Sequence, residues 1–413
     1  TYLGRDRGDD RQSGATPDMK LAAQPWMQLA GTRRVLAALP GAKFVGGAVR
    51  DALLGLPVTD VDVATQLPPA TVVERLTATG VKVVPTGIAH GTVTAVTPEI
   101  AIEITTLRRD VSTDGRHATV AFTDQWQEDA ARRDFTINAL YADPDTGEID
   151  DFFGGMADLA ARRVRFIGAP LERIAEDHLR ILRFFRFHAR FGTGAPDADG
   201  MAACTTRAND LMALSRERIR DEISKLLVVT EPTSTVALMV DAGILCPVLP
   251  EILPDGAARL AALVPVEPEP NWVRRLAALL PVDAALLTEI AYRLRLSNDE
   301  RRRLVATATR FDAAEMWRFA WHDGAASAID RLLLDAASHP ENLGHADTLA
   351  SWQRPKMPAT GRDLIARGVT VGPDVSRRLE LFESAWIDAG FPLDAARVGA
   401  LLDSAARASG GQA

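Results

Sequence analysis

Residues 46–63 read GGAVRDALLGLPVTDVDV, and this stretch decides the fold. The two glycines at its start are typical of a tight turn between a strand and a helix, and the residues from Gly47 to Leu54 predict that helix. From Asp60 to Val63 acidic and apolar residues alternate, which is the period of a β-strand whose valines face the core. A glycine turn, a helix and a strand in this order predict a mixed unit of helices and strands.

The flanking sequence extends this unit in both directions. Further strands are predicted at 81–84, 91–96 and 100–107, and the last two form a hairpin. From Leu171 onward the pattern is helical, punctuated by proline and glycine. We therefore expect an α+β fold, in which a compact head of mixed structure is followed by a helical remainder.

Asp60 and Asp62 lie two residues apart on the predicted strand, so their carboxylates leave the same face of the sheet. Two carboxylates held this close repel each other, and Mg²⁺ is the natural ion between them because it takes oxygen ligands and works with phosphates. Glu103, on a neighbouring predicted strand, is the candidate third oxygen ligand. Such a cluster is typical of metal-dependent phosphoryl or nucleotidyl transfer. For an isolated D-x-D pattern, a solvated strand end is the favoured alternative.

The glycine turn gives the aspartate pair its context. Gly46 and Gly47 let a phosphate approach backbone amides at the start of the helix, and Arg50 follows in the first turn. Two glycines on their own are explained equally well by a plain tight turn. The turn and the aspartate pair, so close together in sequence, indicate a nucleotide site.

Charge is distributed unevenly along the chain. The whole sequence carries a formal net charge of −8, which argues weakly against a nucleic-acid partner. Between Met156 and Arg190, however, eight arginines stand against four acidic residues. A local positive excess inside an acidic chain is the asymmetry expected of a segment that contacts nucleic acid.

Composition excludes several classes of protein. Hydrophobic residues make up 47% and charged residues 25%, as in a globular protein. No apolar run approaches the roughly 20 residues needed to span a bilayer, so no membrane association is expected, and the polar N-terminus lacks the apolar core of a secretory signal. Only Cys204 and Cys246 are present, so we expect no disulfide framework, and a location in the reducing cytoplasm fits.

Beyond these patterns, the sequence resembles the class II branch of the CCA-adding enzyme and bacterial poly(A) polymerase family, within the polymerase-β-like nucleotidyltransferase superfamily. The glycine turn and the aspartate pair are the first two family motifs, and the others follow in family order. The resemblance is dense from Phe44 to about Arg190 and looser as far as Leu227. It implies a nucleotidyltransferase head followed by an all-helical neck, body and tail.

The segment Arg132–Leu140 reads RRDFTINAL and resembles the family motif R-R-D-F-T-x-N-A. The resemblance implies that this segment contacts the ribose and the phosphates of the incoming nucleotide. Its candidate nucleotide-binding residues are Arg133, Asp134 and Asn138.

Glu176-Asp177, followed by Arg180 and Arg183, resembles the family's E-D-x-x-R-x-x-R helix, which selects the base. On a helix, Asp177 and Arg180 share one face. An ionised Asp only accepts hydrogen bonds and an Arg only donates them, so the pair complements cytosine and adenine and rejects uracil and guanine. Arg183 is expected to face the triphosphate, and Arg186 is a more distant candidate. A surface ion pair is the alternative interpretation.

The polar segment from Arg108 to His117 lies between these motifs. The family carries a flexible loop here that helps the switch from C to A addition, and the resemblance places Arg109, Asp110 and Arg116 in it. A solvent-exposed hairpin loop is the alternative.

The motifs and the helical pattern together predict five segments. They are a disordered extension at 1–25, a nucleotidyltransferase head at 26–165, a helical neck with the nucleotide-selecting helix at 166–230, a helical body at 231–310 and a tRNA-binding helical tail at 311–413. Many relatives also carry an HD phosphohydrolase domain, but His322-Asp323 is the only His-Asp dipeptide in this sequence. We therefore expect no appended phosphatase.

The resemblance implies an enzyme that adds CMP, CMP and AMP from CTP and ATP to the 3′ end of tRNA, with Mg²⁺ and release of pyrophosphate. Poly(A) polymerases share every motif above, and the residues 138–141, NALY, are slightly closer to that branch. An enzyme that adds only CC or only A is a third possibility. A non-catalytic RNA-binding relative is the alternative from another class, and the presence of Asp60, Asp62 and Asp177 speaks against it.

Overall fold

The computed structural model describes residues 20–114, 117–309 and 315–408, with the side chains of residues 110–120 outside that description. Contacts between residues divide the chain into two compact units, with the boundary between Leu214 and Ser215. Most of the predicted extension, and Arg116 of the predicted loop, lie outside the described residues. The finer division into head, neck, body and tail stays a prediction.

The first unit is built on a seven-stranded mixed sheet and a separate two-stranded ribbon. The strands are β1 (Lys43–Val45), β2 (Val61–Thr65), β3 (Lys82–Gly87), β4 (Thr92–Val96), β5 (Ala101–Thr106), β6 (Arg108–Asp114), β7 (His117–Phe122), β8 (Leu140–Ala142) and β9 (Ile149–Asp151). The order in the large sheet is β3-β4-β5-β2-β1-β8-β9, while β6 and β7 form the ribbon. Within the large sheet β2 and β5 run parallel, and the other neighbours are antiparallel.

The central strand β2 forms because its apolar residues alternate as predicted. Val61 and Val63 are 2% and 1% exposed, so one face of the strand belongs to the core. Asp62 leaves the other face and stands opposite Glu103 of β5 in the parallel register. The predicted hairpin is also confirmed, because β4 and β5 pair antiparallel from Val96↔Ala101 onward.

Helices cover this sheet and continue beyond it. In the first unit they are α1 (Ala30–Ala38), α2 (Gly47–Leu53), α3 (Pro69–Ala78), α4 (Trp126–Ala131), α5 (Gly155–Ala160), α6 (Pro170–Glu176), α7 (Arg180–Phe191) and α8 (Ala198–Thr206). The buried side of α7 is aromatic, and Phe184 stacks on Phe166 with ring centres 5.4 Å apart. This packing fixes one side of α7 to the end of the head, and the arginines of α7 lie on the opposite side of the helix.

Two features of the strands in the first unit differ from the prediction. β8 and β9 were not expected, since three residues are too few to show a clear period. The segment expected as a loop from Arg108 is the β6–β7 ribbon, whose backbone pairs run from Arg108↔Phe122 to Asp114↔His117. Its β-branched residues favour strands, which explains the difference. The flexibility of this ribbon stays a prediction.

The second unit is helical in the part of it that the structure describes. Its helices are α9 (Arg216–Leu227), α10 (Thr233–Asp241), α11 (Pro254–Leu263), α12 (Trp272–Leu279), α13 (Ala284–Arg293), α14 (Asn298–Ala306), α15 (Met316–Asp323), α16 (Ala325–Asp335), α17 (Asn342–Ala350), α18 (Gly361–Ile365), α19 (Pro373–Asp388) and α20 (Ala395–Arg407). The last helices share a core around Phe382 and Trp386, both fully buried. The fold is therefore α+β, as expected. Among the described residues, no helix is long and apolar enough to cross a bilayer.

Candidate functional site

The two predicted metal ligands lie at the start of β2. Asp60 precedes the strand and is exposed, while Asp62 is half-buried. Burial raises the pKa of Asp62 to about 6, with Glu103 and Asp60 adding to the rise and Arg133 opposing it. The negative charge at this strand end is therefore only partly balanced, which is the electrostatic condition that attracts a cation.

The glycine turn leaves room for Arg133 close to this pair. Gly46 has φ 68° and ψ −123°, a conformation that favours glycine, and its amide donates to the carbonyl of Leu140 at 3.2 Å. A Cβ at position 46 would lie 3.3 Å from a terminal nitrogen of Arg133. A larger residue here would therefore crowd the guanidinium at the start of α2.

Arg133 is held by a buried acid that lies outside the predicted site residues. Asp129 is 1% exposed and accepts from Nη2 of Arg133 at 3.1 Å and from the hydroxyl of Tyr141 at 2.7 Å. Burial by itself raises the pKa of Asp129, but Arg133, Arg132 and Tyr141 together hold it below its ordinary value. The i, i+4 spacing of Asp129 and Arg133 was the available sequence signal.

A chain of hydrogen bonds joins three of the motifs. Arg183 donates from Nε to Oδ2 of Asp134 at 2.8 Å, and Asn138 donates to Oδ1 of Asp134 at 2.9 Å. Arg50 donates from Nη1 to the side-chain oxygen of Asn138. Asp51 in turn accepts from Nε of Arg50 at 2.7 Å. The structure thus brings together four of the predicted nucleotide-binding residues, although they come from three separate segments.

Arg50 lies deeper than a direct phosphate ligand is expected to lie. It is 6% exposed, and its guanidinium lies 4.1 Å from the centre of the Phe191 ring. Burial lowers its pKa, although the ion pair with Asp51 opposes the change. In this arrangement Arg50 orients Asn138, and its direct contact with phosphate stays a prediction.

The pair predicted to read the base does not lie on one helix. α6 ends at Glu176, Asp177 is extended with φ −150° and ψ 105°, and α7 begins at Arg180. Oδ1 of Asp177 accepts from the amide of Leu179 at 3.2 Å, so the side chain replaces a helical hydrogen bond and ends the helix. The prediction of one continuous helix was wrong here. A turn keeps the pair adjacent instead, because the amide of Arg180 donates to the carbonyl of Asp177 at 3.0 Å.

Arg180 is anchored within the protein. Its Nη1 donates to Glu176 at 2.5 Å and to the carbonyl of Arg173 at 2.7 Å, and its Nη2 donates to the carbonyl of Arg132 at 3.3 Å. The side chain is 12% exposed. Because an arginine has five N–H donors, these three bonds leave donors for a ligand.

The remaining predicted residues make contacts of their own. The guanidinium of Arg186 lies 4.5 Å from the centre of the Phe187 ring. Arg109 is in β6 and approaches Glu128 at 3.9 Å. The backbone of Asp110 pairs with Val120 across the ribbon. Their part in nucleotide binding or in a moving loop stays a prediction.

Comparison with known proteins agrees with this geometry. Residues 42–165 match the family model described as the poly A polymerase head domain, and residues 196–255 match the model described as a probable RNA and SrmB-binding site of polymerase A. The mitochondrial CCA tRNA nucleotidyltransferase 1 of Mus musculus is 32% identical over 372 residues, which cover 85% of this chain and 84% of that protein. This chain belongs to the CCA-adding enzyme family.

Enzymes of the CCA-adding family are nucleotidyltransferases that add nucleotides to RNA 3′ ends. The CCA-adding enzyme of Latilactobacillus sakei is 40% identical over 224 residues, which cover 54% of either protein. The crystal structure of the Bacillus stearothermophilus CCA-adding enzyme in complex with CTP matches with a TM-score of 0.76 and 28% identity, and covers 92% of this chain and 98% of that chain. The likeness to the family therefore extends well beyond the head.

CCA-adding enzymes generally use a divalent metal, and the donors at β2 fit one. Asp60 and Asp62 present carboxylate oxygens, and their negative charge is only partly balanced by nearby cations. Among the described residues, no group of three His, Cys, Asp or Glu side chains is placed to hold a metal ion. Two carboxylates suffice where substrate phosphates complete the coordination. Glu103 as a third ligand stays a prediction.

Proposed function

We propose that this chain adds CMP, CMP and AMP from CTP and ATP to the 3′ end of tRNA, with Mg²⁺ at Asp60 and Asp62. The observation that carries this proposal is the hydrogen-bond chain from Arg183 through Asp134 and Asn138 to Arg50. It joins the base-reading segment to the glycine turn, so one nucleotide can be held from its base to its phosphates. The names of the relatives, a CCA tRNA nucleotidyltransferase and a CCA-adding enzyme, support the choice of substrate.

In the proposed reaction, the 3′-hydroxyl oxygen of tRNA attacks the α-phosphorus of the nucleotide. A new P–O bond forms, the hydroxyl proton is released to water, the bond between the α-phosphorus and the oxygen that bridges it to the β-phosphorus breaks, and pyrophosphate leaves. The divalent ion, when bound, supplies Lewis acidity to the hydroxyl and the phosphates. Asp60 and Asp62 hold that ion as carboxylates. Arg133, fixed beside Gly46, offers positive charge to the phosphates without having to reorganise.

Base selection is assigned to the turn between α6 and α7. The carboxylate of Asp177 accepts from the amino group that cytosine and adenine share, and Arg180 donates to their ring nitrogen. Uracil and guanine present a carbonyl to Asp177 and an N–H to Arg180, so buried polar groups are left unpaired. Both residues are partly shielded from water, which strengthens this discrimination.

The tail is proposed to contact tRNA through an extended segment at 351–360. Its two cations, Arg354 and Lys356, are exposed, and among the described residues no carboxylate lies within 4.0 Å of either one. Some other exposed arginines of this unit do have an acidic partner, as in the pair of Arg302 with Asp299. Two unpaired cations in an acidic chain favour a polyanionic partner.

The same segment is ordered before any RNA arrives. Trp352 packs on Phe391 with ring centres 5.5 Å apart, and Ala359 is 1% exposed, so both ends are anchored in the core. The guanidinium of Arg354 lies 4.3 Å from the centre of the Trp321 ring. Pro355 and Pro358 restrict the residues before them to extended conformations. Binding through this segment therefore loses little conformational entropy.

A poly(A) polymerase is the nearest alternative, because the residues 138–141 are slightly closer to that branch. An enzyme that adds only CC or only A, and a non-catalytic RNA-binding relative, are the remaining alternatives. Cys204 and Cys246 are both free thiols, which supports the proposal of a reducing location such as the cytoplasm.

One experiment separates these functions. A tRNA transcript that ends at the discriminator base is incubated with each labelled nucleoside triphosphate, alone and combined, and the products are sized on a sequencing gel. We expect extension by C, C and A, followed by a stop even with excess ATP. A ladder of A residues made without CTP would assign the chain to the poly(A) branch, and no extension at all would favour the RNA-binding alternative.

A further inference from the structure

Arg173 on α6 reaches across the chain to the segment that carries Arg133 and Asp134. Its Nη2 donates to the carbonyl of Arg132 at 2.6 Å and to the carbonyl of Arg133 at 2.9 Å. The residue is 8% exposed, so these bonds form away from bulk water. A buried arginine with two main-chain acceptors fixes the backbone of that segment more firmly than a surface ion pair would.

The other side of the same guanidinium faces the base-reading turn. Nη1 of Arg173 donates to Oε2 of Glu176 at 2.5 Å, and the same oxygen accepts from Nη1 of Arg180 at 2.5 Å. Arg180 also donates to the carbonyls of Arg173 and Arg132. The four residues therefore form a closed circuit, in which one carboxylate is shared by two arginines.

The circuit sets the distance between two proposed parts of the nucleotide site. One side of it is the backbone of residues 132–133, next to the proposed phosphate and ribose contacts. The other side is Glu176 and Arg180, next to Asp177. If Arg173 were removed, Glu176 would keep its ion pair with Arg180 but lose the one with residue 173, and the carbonyls of residues 132 and 133 would lose a close donor.

We propose that Arg173 is a positioning residue for base selection. It acts through Glu176 and through the carbonyls of Arg132 and Arg133, and it holds Arg180 at the distance from the phosphate-binding segment that a cytosine or adenine nucleotide requires. The inference rests on the proposed function for the identity of the nucleotides. Lysine cannot replace Arg173, because a single ammonium does not present a planar fork to two carbonyls and a carboxylate at once.

The second unit offers a control with the same kinds of hydrogen-bond partner at Arg259. This residue donates to the carbonyls of Ala278 and Leu280 at 2.9 and 3.0 Å and to Asp255 at 2.6 Å. It therefore has the same set of partners, two carbonyls and one carboxylate, but no proposed part in nucleotide binding. Arg259→Lys reports what the loss of such a fork does to stability alone.

The test compares Arg173→Lys and Arg259→Lys with the wild type. For each protein kcat and KM are measured with CTP, ATP and UTP on tRNA, and the melting temperature is recorded. In Arg173→Lys we expect KM for CTP and ATP to rise about tenfold, and the preference for CTP over UTP to fall about tenfold, as for a lost charged hydrogen bond. In Arg259→Lys we expect that preference to be unchanged, whatever the loss in melting temperature.

Glu176→Gln keeps the shape of the side chain and weakens the same circuit, so it provides a second variant if Arg173→Lys folds poorly. It should lower the preference for CTP over UTP in the same direction. Unchanged preference in both variants, with only turnover or melting temperature reduced as in Arg259→Lys, would overturn the inference and make Arg173 a structural anchor. A wild-type protein that incorporates neither CTP nor ATP would instead refute the proposed function.

Discussion

Arg183 of α7 donates from Nε to Oδ2 of Asp134 at 2.8 Å, although the two residues are 49 positions apart in sequence. Asp134 is buried, and its Oδ1 also accepts from the amide of Phe135 and from Asn138, each at 2.9 Å. The carboxylate is thus one point at which the base-reading side of the site is fixed to the segment that precedes β8. Both the stability of the head and the geometry of the site depend on it.

Asp134→Asn is expected to lower the free energy of unfolding by about 1–3 kcal/mol at pH 7, because the ion pair between Arg183 and the buried carboxylate is lost. Burial alone raises the pKa of Asp134, but Arg183, Asn138 and the amide of Phe135 hold it below its ordinary value. A carboxylate with a lowered pKa stabilises the fold above its unfolded pKa, and this contribution is lost as the pH falls through the folded value. The difference between variant and wild type in urea unfolding should therefore be complete at pH 7 and shrink below about pH 4. A difference that did not change with pH would contradict the ion pair.

Asp60→Ala and Asp62→Ala are each expected to abolish incorporation of CTP and ATP, while the affinity for tRNA stays within a few-fold of the wild type. The two carboxylates hold the ion that serves the chemistry, and docking of the RNA depends on other surfaces. Filter binding gives the affinity, and single-turnover incorporation at saturating Mg²⁺ gives the activity. Normal turnover by both variants would refute the metal assignment.

Asp62→Asn is expected to stabilise the metal-free protein. The pKa of Asp62 is raised to about 6 by burial and by Glu103. Between about pH 4 and pH 6 the folded state therefore binds more protons at this group than the unfolded state, so the stability it contributes falls as the pH rises. At pH 7.5 in EDTA the variant should be more stable by about 1–2 kcal/mol. Added Mg²⁺ should raise the melting temperature of the wild type but not of the variant. A variant less stable than the wild type in EDTA would show that the charge of Asp62 does not destabilise the metal-free protein.

The sequence predicted those parts of the site that depend on local patterns. The alternation around Asp60 and Asp62 identified β2 and the face of the sheet on which Asp62 lies. The glycine turn identified the start of α2, because the positive φ of Gly46 is a property that one residue type supplies. These features need no knowledge of distant residues.

The parts that were missed depend on contacts between distant segments or on a competing local bond. Helical spacing predicted one helix through Asp177, but its side chain accepts from the amide of Leu179 and ends α6. The contact of Arg173 with the main chain gave no signal, since its partners Arg132 and Arg133 are about forty residues away in sequence. β8 was missed because a three-residue strand shows no period of its own.

Replacing Arg354 and Lys356 together with alanine is expected to weaken tRNA binding about tenfold at moderate salt. Each residue has an exposed cation without an acidic partner. If each cation contacts one phosphate, loss of either contact should reduce the slope of log affinity against log salt concentration by about one. The matched control is the double variant at Arg302 and Arg377, which are exposed and paired with carboxylates. Equal weakening in both double variants would show an effect of net charge alone and would refute a specific contact.

Changes at Asp177 and Arg180 are expected to alter which base is accepted more than how fast the chemistry runs. Arg180→Ala removes the donors that meet cytosine N3 and adenine N1, so CTP and ATP should lose roughly 10- to 150-fold of their advantage over UTP and GTP. Asp177→Ala removes the acceptor for the amino group and should have the same effect. It also removes the hydrogen bond from the amide of Leu179 that ends α6, so a second substitution is needed.

Asp177→Asn keeps an oxygen for that amide but adds an N–H, which suits the carbonyl of uracil. In this variant the efficiency with UTP should therefore rise relative to CTP. The measurement is kcat/KM for the four nucleotides with all three variants, with circular dichroism to confirm that the helices remain folded. A common loss for all four nucleotides would show that the pair is structural and that selection takes place elsewhere.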